Sequence, residues 1–426
     1  MNWALIALGL ALLALFGTPL FIIISAIALL AFHLAEIDSS AMIIELYRLA
    51  SQPVLLAIPL FTFAGYLMAE SKAPQRLVRL SRALFTWLPG GVAIMALVSC
   101  AIFTAFTGAS GVTIIALGGL LYPILLKEKY GESFSLGLLT ASGNLGLLFP
   151  PSLPIILYGL VSQTSIDDLF LAGIIPGSLM VILLSLFSVA VFRRTQQTEQ
   201  IRASSWAEVR QALREAAWEV PLPVIILGGI YGGFFTATEA AAVTAFYVLV
   251  VEVFIYRDIS LKKDLSRAVR ESMVLVGGIL VILGAALGLA NYLIDAEVPM
   301  RILAHIQTVI HSKFGFLLLL NGFLLIIGAM MDIFSAIMVV VPLIIPIATH
   351  FGIDPVHLGI IFLVNLGIGY STPPVGMNLF IASLRFKQPV MRLYVAALPF
   401  LIILLIALAM VTFVPDLSLW LVRLYH

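Results

Sequence analysis

Charge is what this sequence has least of. Lys and Arg number 23 and Asp and Glu 22 in 426 residues, 11% in all, where a soluble globular domain carries about 25%. The balance of +1 leaves no basic surplus for nucleic acid. Cys100 is the single cysteine and lies in an apolar run, so no internal disulfide can form. No lysine follows a glycine, which removes the G-x-x-x-x-G-K-[ST] phosphate cradle. ATP bound to this chain therefore drives nothing. The six histidines form no H-E-x-x-H pattern and no nucleophile–base pairing is visible, so an intramembrane enzyme has no support. The start also lacks the positive residues of a secretory signal, which predicts that residues 1–35 are retained.

Apolar residues take the place of charge, at 62%. Charged residues are absent from 1–35, 83–126, 133–166, 272–294, 355–384 and 393–415. A bilayer core takes roughly 20 apolar helical residues to cross. The sequence predicts a polytopic, almost wholly embedded protein.

Two of the apolar blocks are too long for one span. Block 83–126 has small and hydroxyl residues at its centre, Phe103-Thr104-Ala105-Phe106-Thr107-Gly108-Ala109-Ser110-Gly111, and block 314–353 carries Gly328-Ala329-Met330-Met331-Asp332. Each predicts two short helices meeting at a polar tip. Lys72, Arg76, Arg79 and Arg82 precede the first block and Lys127 and Lys129 follow it, which marks both flanks as cytoplasmic. Around the second block, 295–313 is mixed and 350–357 holds no Lys or Arg, so both flanks read as periplasmic. Two re-entrant hairpins of opposite orientation fit better than full spans joined by surface turns.

A broken apolar segment follows each hairpin: Asn144-Leu145-Gly146-Leu147-Leu148-Phe149-Pro150-Pro151 in one half, Asn365-Leu366-Gly367-Ile368-Gly369-Tyr370-Ser371-Thr372-Pro373-Pro374 in the other. Loop 162–170 has Asp167 and Asp168 without Lys or Arg, while its counterpart carries Arg385, Lys387 and Arg392. Order and spacing are shared and the loop charges swap sides, which defines an inverted-topology repeat. The earlier spans match more loosely, breaking at Gly17-Thr18-Pro19 and Gly232-Gly233. Between the halves, Ser205 and Glu208 make a capping box at the start of a predicted amphipathic helix, with Trp206 and Trp218 as interface anchors.

Inverted repeats with discontinuous helices are an architecture of secondary transporters. Proline has no N–H to give the carbonyl four residues earlier. Pro150 and Pro151 are expected to free the carbonyls of Gly146 and Leu147, and Pro373 and Pro374 those of Gly369 and Tyr370. Hard cations take several oxygen ligands, which predicts cation sites from Ser142, Asn144 and Gly146 with the tip residues Thr107, Gly108 and Ser110 in one half. Asn365, Gly369 and Thr372 with Gly328 and Asp332 form the other set. Substrate contacts are expected at Ser110, Pro151, Ser152, Thr372, Pro373 and Asn378. Glu239 is read either as a cation partner or as the cap of the helix that follows.

At these residues the chain resembles the large membrane subunit (DctM-like) of tripartite ATP-independent periplasmic (TRAP) transporters. The matching stretches are Leu56-Ala57-Ile58-Pro59-Leu60-Phe61, Gly108-Ala109-Ser110, Pro150-Pro151-Ser152, Gly232-Gly233 with Thr236 to Ala241, Gly352-Ile353-Asp354-Pro355-Val356-His357 and Thr372-Pro373-Pro374-Val375-Gly376-Met377-Asn378. Two departures occur, at the Thr107-Gly108-Ala109-Ser110 tip and at Ala237. The resemblance implies a sodium-coupled importer of organic acids in a bacterial inner membrane, working by an elevator motion. It implies as partners a small four-helix membrane subunit and a periplasmic substrate-binding protein, and sodium as coupling ion without another cofactor.

The expected division gives scaffold and arm helices at 1–82, the first hairpin and broken helix at 83–161, scaffold and linker spans at 162–271, scaffold again at 272–313, the second hairpin and broken helix at 314–384, and a C-terminal scaffold span at 385–426. The competing readings are a stand-alone sodium–dicarboxylate symporter, an ion channel and an intramembrane enzyme.

Overall fold

The structure, a computed structural model, describes residues 12–13, 18–194 and 205–426. Those residues are helical, with no strand among them. Eight of the described helices are long and apolar enough to cross a membrane, and nine if one bent pair counts as a span. Leu, Ile, Val, Phe and Ala surround these helices on all faces, as lipid on one side and packed protein on the other require.

Both predicted hairpins form. Helix Gly91–Thr107 ends on Gly108, whose left-handed backbone (φ 66°) turns the chain and returns its N–H to Thr104 O at 2.8 Å. A Cβ at Gly108 would lie 2.7 Å from the Leu153 Cβ, so both turn and contact require glycine. The chain then enters Ser110–Lys127. In the second hairpin, Lys313–Met330 and Ile333–His350 meet at Met331 and Asp332.

The broken helices follow. Glu132–Ser142 gives way to a short turn at Leu145–Leu148 and then to Leu153–Ser162, with a 47° bend across the break. Pro355–Gly369 gives way to an irregular stretch and then to Met377–Phe386. Both proline pairs, Pro150-Pro151 and Pro373-Pro374, are joined by cis bonds.

One shift relates the halves. Adding 223 carries Ser110–Lys127 onto Ile333–His350, the cap Gly131 onto Asp354, the cap Ala109 onto Asp332, and Pro150 onto Pro373. This differs from the register read off the repeated Asn-Leu-Gly triplets. Under the structural register Asn144 corresponds to Gly367, and Asn365 to Ser142. The triplets mislead because the second lies two residues farther from its prolines than the first. Close backbone contacts confirm the structural register. A Cβ on Gly146 would fall 2.5 Å from Ala105 N, and one on Gly369 would fall 2.6 Å from the Cα of Gly328, the counterpart of Ala105.

The halves interlock. The first arm of each hairpin packs on its own broken helix, whereas the second arm crosses over: Ser110–Lys127 packs on Met377–Phe386, and Ile333–His350 on Leu153–Ser162. Helix Ile166–Arg194 packs on Gly91–Thr107, on the first break and on Pro355–Gly369, and Val390–Phe413 packs on Glu132–Ser142. Ala57–Glu70, Ala237–Val250 and Asp264–Asp295 pack together as a second group. Gly65 brings that group against tip one, since a Cβ there would meet Phe106 O at 2.5 Å.

An ion cluster fastens the side that the loop charges assign to the cytoplasm. Arg76 on helix Ala73–Phe85 is buried, donates to Glu219 and Asp258, and binds both oxygens of Glu252 at 2.9 and 3.0 Å. Its guanidinium lies 3.8 Å from the centre of the Tyr256 ring. Burial opposes ionisation of Asp258, but the Arg76 hydrogen bond and charge, backed by Lys72, outweigh it and hold that carboxyl below its usual range. The Ser205–Glu208 capping box forms at Trp206–Glu215 with Trp206 and Trp218 exposed. Glu239 closes a second box with Thr236, which settles its role as a cap. Gly17, at the first predicted break, and residues 195–204 of the linker lie outside the described residues.

Candidate functional site

The breaks do not leave bare carbonyls. Gly146 O accepts from Phe149 N at 3.1 Å, and Leu147 O accepts from the Ser152 hydroxyl. Gly369 O accepts from Thr372 N at 2.9 Å, and Tyr370 O from Asn378 N at 3.0 Å. The expectation of unpaired carbonyls is thus corrected. A tight turn and nearby donors supply what proline removes, leaving each oxygen one further lone pair.

Unpartnered oxygens lie elsewhere. Thr107 Oγ1, at the end of the first hairpin arm, and Asn365 Oδ1 are buried without a hydrogen-bond partner. Their residues are 1% and 0% exposed. Such orphans are rare, because each costs the desolvation of a polar atom. Asn365 donates to Asn321 Oδ1 at 2.7 Å and to Ile361 O at 2.8 Å, so its acceptor oxygen remains free between helices of the second half. Asn321, which also donates to Thr412 Oγ1 at 3.1 Å, was missed in the sequence. An asparagine within Leu317-Leu318-Leu319-Leu320-Asn321 was the available signal.

Between the halves runs a buried polar chain. Ser110 Oγ donates to Asn378 Oδ1 at 2.8 Å, and Asn378 Nδ2 donates to Asn144 Oδ1 at 2.8 Å. Asn144 Nδ2 then donates to Gly367 O at 2.5 Å and Ser371 Oγ at 3.3 Å. Asn144 thus touches its own repeat counterpart, Gly367. Of the predicted substrate residues, Ser110 and Asn378 meet here. Ser142 Oγ turns to Leu139 O at 3.1 Å and Thr372 Oγ1 to Ile368 O at 2.8 Å, each within its own helix. Pro151 and Ser152 are buried, whereas Pro373 to Val375 are exposed.

This chain is one-sided. The counterparts of Ser110, Asn378 and Ser371 under the repeat are Ile333, Ile155 and Leu148, all apolar. The hairpin helix starts differ in the same sense. Ser110–Lys127 begins without a side-chain cap, which leaves its partial positive end uncompensated. Met377–Phe386, which starts beside it, and its counterpart Leu153–Ser162 both lack a side-chain cap. Asp332 caps Ile333–His350: Oδ1 accepts from Phe334 N and Ser335 N at 3.0 Å each, and Oδ2 from the Ser335 hydroxyl. The predicted ion ligand Asp332 therefore already serves its helix, and its negative charge cancels that helix end. An anion therefore meets no capping carboxylate at the Ser110 start, whereas Asp332 opposes one at the mirrored hairpin start. No cluster of three or more His, Cys, Asp or Glu that could hold a metal occurs among the described residues.

An all-helical inverted repeat with paired hairpins and broken helices around one polar centre defines a membrane transport protein. The chain belongs to the DctM component family of tripartite ATP-independent periplasmic transporters, whose family model it matches over residues 6–417. It is 36% identical over 396 residues, 92% of this chain and 91% of its relative, to a C4-dicarboxylate TRAP transporter large permease protein of Pseudomonas aeruginosa. It is 34% identical over 421 residues, 98% of both chains, to an ectoine/5-hydroxyectoine TRAP transporter large permease protein of Ruegeria pomeroyi. Among solved structures, the Alcanivorax borkumensis YdaH transporter matches with a TM-score of 0.65 at 15% identity, over 90% of this chain and 88% of that one, which shows the shared fold.

Proposed function

We propose that this chain is the sodium-coupled permease of a three-part importer of a small organic acid in a bacterial inner membrane. The relatives named for C4-dicarboxylates and for ectoines support that substrate class. A periplasmic binding protein delivers the acid, and a small membrane subunit completes the complex. The acid lies at the Ser110–Asn378 side, where two uncapped helix starts and the amide chain meet it. Sodium is held near the hairpins and breaks, with Thr107 Oγ1 and Asn365 Oδ1 as ligands. The hairpins, the broken helices, Ile166–Arg194 and Val390–Phe413 travel together as the elevator, against a scaffold that includes Ala57–Glu70 and Asp264–Asp295.

The observation that carries this reading is that Thr107 Oγ1 and Asn365 Oδ1, one at a hairpin tip and one beside a break, are among the buried oxygens without a hydrogen-bond partner. A sodium ion supplies the partner that each lacks. Thr107→Val and Asn365→Leu remove the oxygen without adding charge. Each is expected to raise the sodium concentration for half-maximal uptake by about tenfold, with membrane assembly intact. Unchanged sodium dependence in both would show that the two oxygens play no part in coupling.

A further inference from the structure

Away from the centre, a cavity of about 650 Å³ opens where the two packing groups meet. Arg48 and Gln52 line it from the scaffold side, together with Thr238 at the start of Ala237–Val250. Gln163 and Thr164 line it from the loop after the first broken helix, and Asp167 from the first turn of Ile166–Arg194. Loop 162–170 has acidic residues but no Lys or Arg, so the mouth faces the periplasm by the charge rule. Ligand pockets typically run from about 300 to 1,000 Å³ and carry a few placed polar groups among apolar ones.

Two of its charges are incompletely used. Arg48 contacts Glu45 through Nη2 at 2.7 Å and its side chain is half exposed. A guanidinium has five N–H donors, enough to grip a carboxylate as well. Asp167 Oδ1 is buried without a partner. Its neighbour Asp168 is already engaged, with His426 Nε2 at 2.9 Å. The cavity therefore offers a donor fork at one place and a lone acceptor at another. A plain carboxylate would satisfy Arg48 but be repelled by Asp167, unless the same molecule brings a hydroxyl or ammonium to Oδ1.

We infer that this cavity is a periplasmic staging site for small acids bearing a hydroxyl or ammonium group, with the carboxylate on Arg48 and the donor on Asp167. The inference rests on the importer reading and adds a first stop on the way to the Ser110–Asn378 centre. Because scaffold and moving elements share its walls, an elevator stroke would remake the cavity once the acid had moved on.

The test uses the full chain with its small subunit in liposomes, with Cys100→Ser and a single Thr164→Cys reporter on the cavity wall, and the matching binding protein is added for the uptake arm. The rate of alkylation by an anionic methanethiosulfonate is read with L-malate or succinate, and with glycerate or propionate, as competing probes. The hydroxylated acid of at least one pair is expected to protect the thiol at about tenfold lower concentration than its deoxy partner. Asp167→Asn should erase that preference. Arg48→Gln should abolish protection and slow the anionic reagent relative to a cationic one. Equal protection by both members of each pair, no protection by any probe, or protection unaffected by either variant would overturn the inference. Sodium-driven uptake is measured alongside. Uptake without protection sinks the staging site alone, and loss of sodium dependence sinks the importer reading.

Discussion

Arg76 shows how a single residue can be over-determined. Among the described residues it pairs with all three of Glu219, Glu252 and Asp258, while Lys72 reaches only Asp258, at 3.3 Å. Arg76→Met would leave three carboxylates without their partner, and breaking such a pair costs about 3–5 kcal/mol. A lower thermal midpoint in detergent is the expected outcome, and an unchanged midpoint would contradict it. The pH dependence has a defined sign. The folded-state pKa of Asp258 is depressed, so its contribution is present above the ordinary carboxylate range and lost as pH falls through the folded value. The gap between wild type and Arg76→Met should therefore narrow below about pH 4. The sequence showed Arg76 only as a mark of sidedness, because its partners lie 143 to 182 residues away.

Hairpins and breaks were legible because their signals are local. Gly108, the two proline pairs and the small residues at each tip interrupt apolar runs that otherwise have no reason to stop. Register was not legible, since it depends on which backbones touch. Gly146 against Ala105 and Gly369 against Gly328 identify the repeat, while the recurring Asn-Leu-Gly is an accident of two residues. The pairing of Asn144 with its counterpart Gly367 likewise needs the crossing of two helices. Inverted orientation carries its own test. Single cysteines at Arg82 and Ser312, both exposed, should react with an impermeant thiol reagent from opposite faces of the membrane. Labelling from one face would end the inverted repeat.

For the whole molecule, the two packing groups meet broadly, with Asp264–Asp295 against Ile333–His350 and Ala57–Glu70 against Gly91–Thr107, where Gly65 closes on tip one. Composition foretold the membrane and the absence of enzyme chemistry, and the sequence motifs foretold the family. What they could not supply is the handedness of the centre. The polar chain and the uncapped start of Ser110–Lys127 lie on one side of the repeat axis, with isoleucines and a capping aspartate on the other. The most direct measurement is uptake of a labelled organic acid into proteoliposomes holding this chain with its small subunit. The account predicts accumulation only when an inward sodium gradient and the loaded binding protein are both present. Accumulation of free acid by this chain alone, or uptake indifferent to sodium, would contradict it.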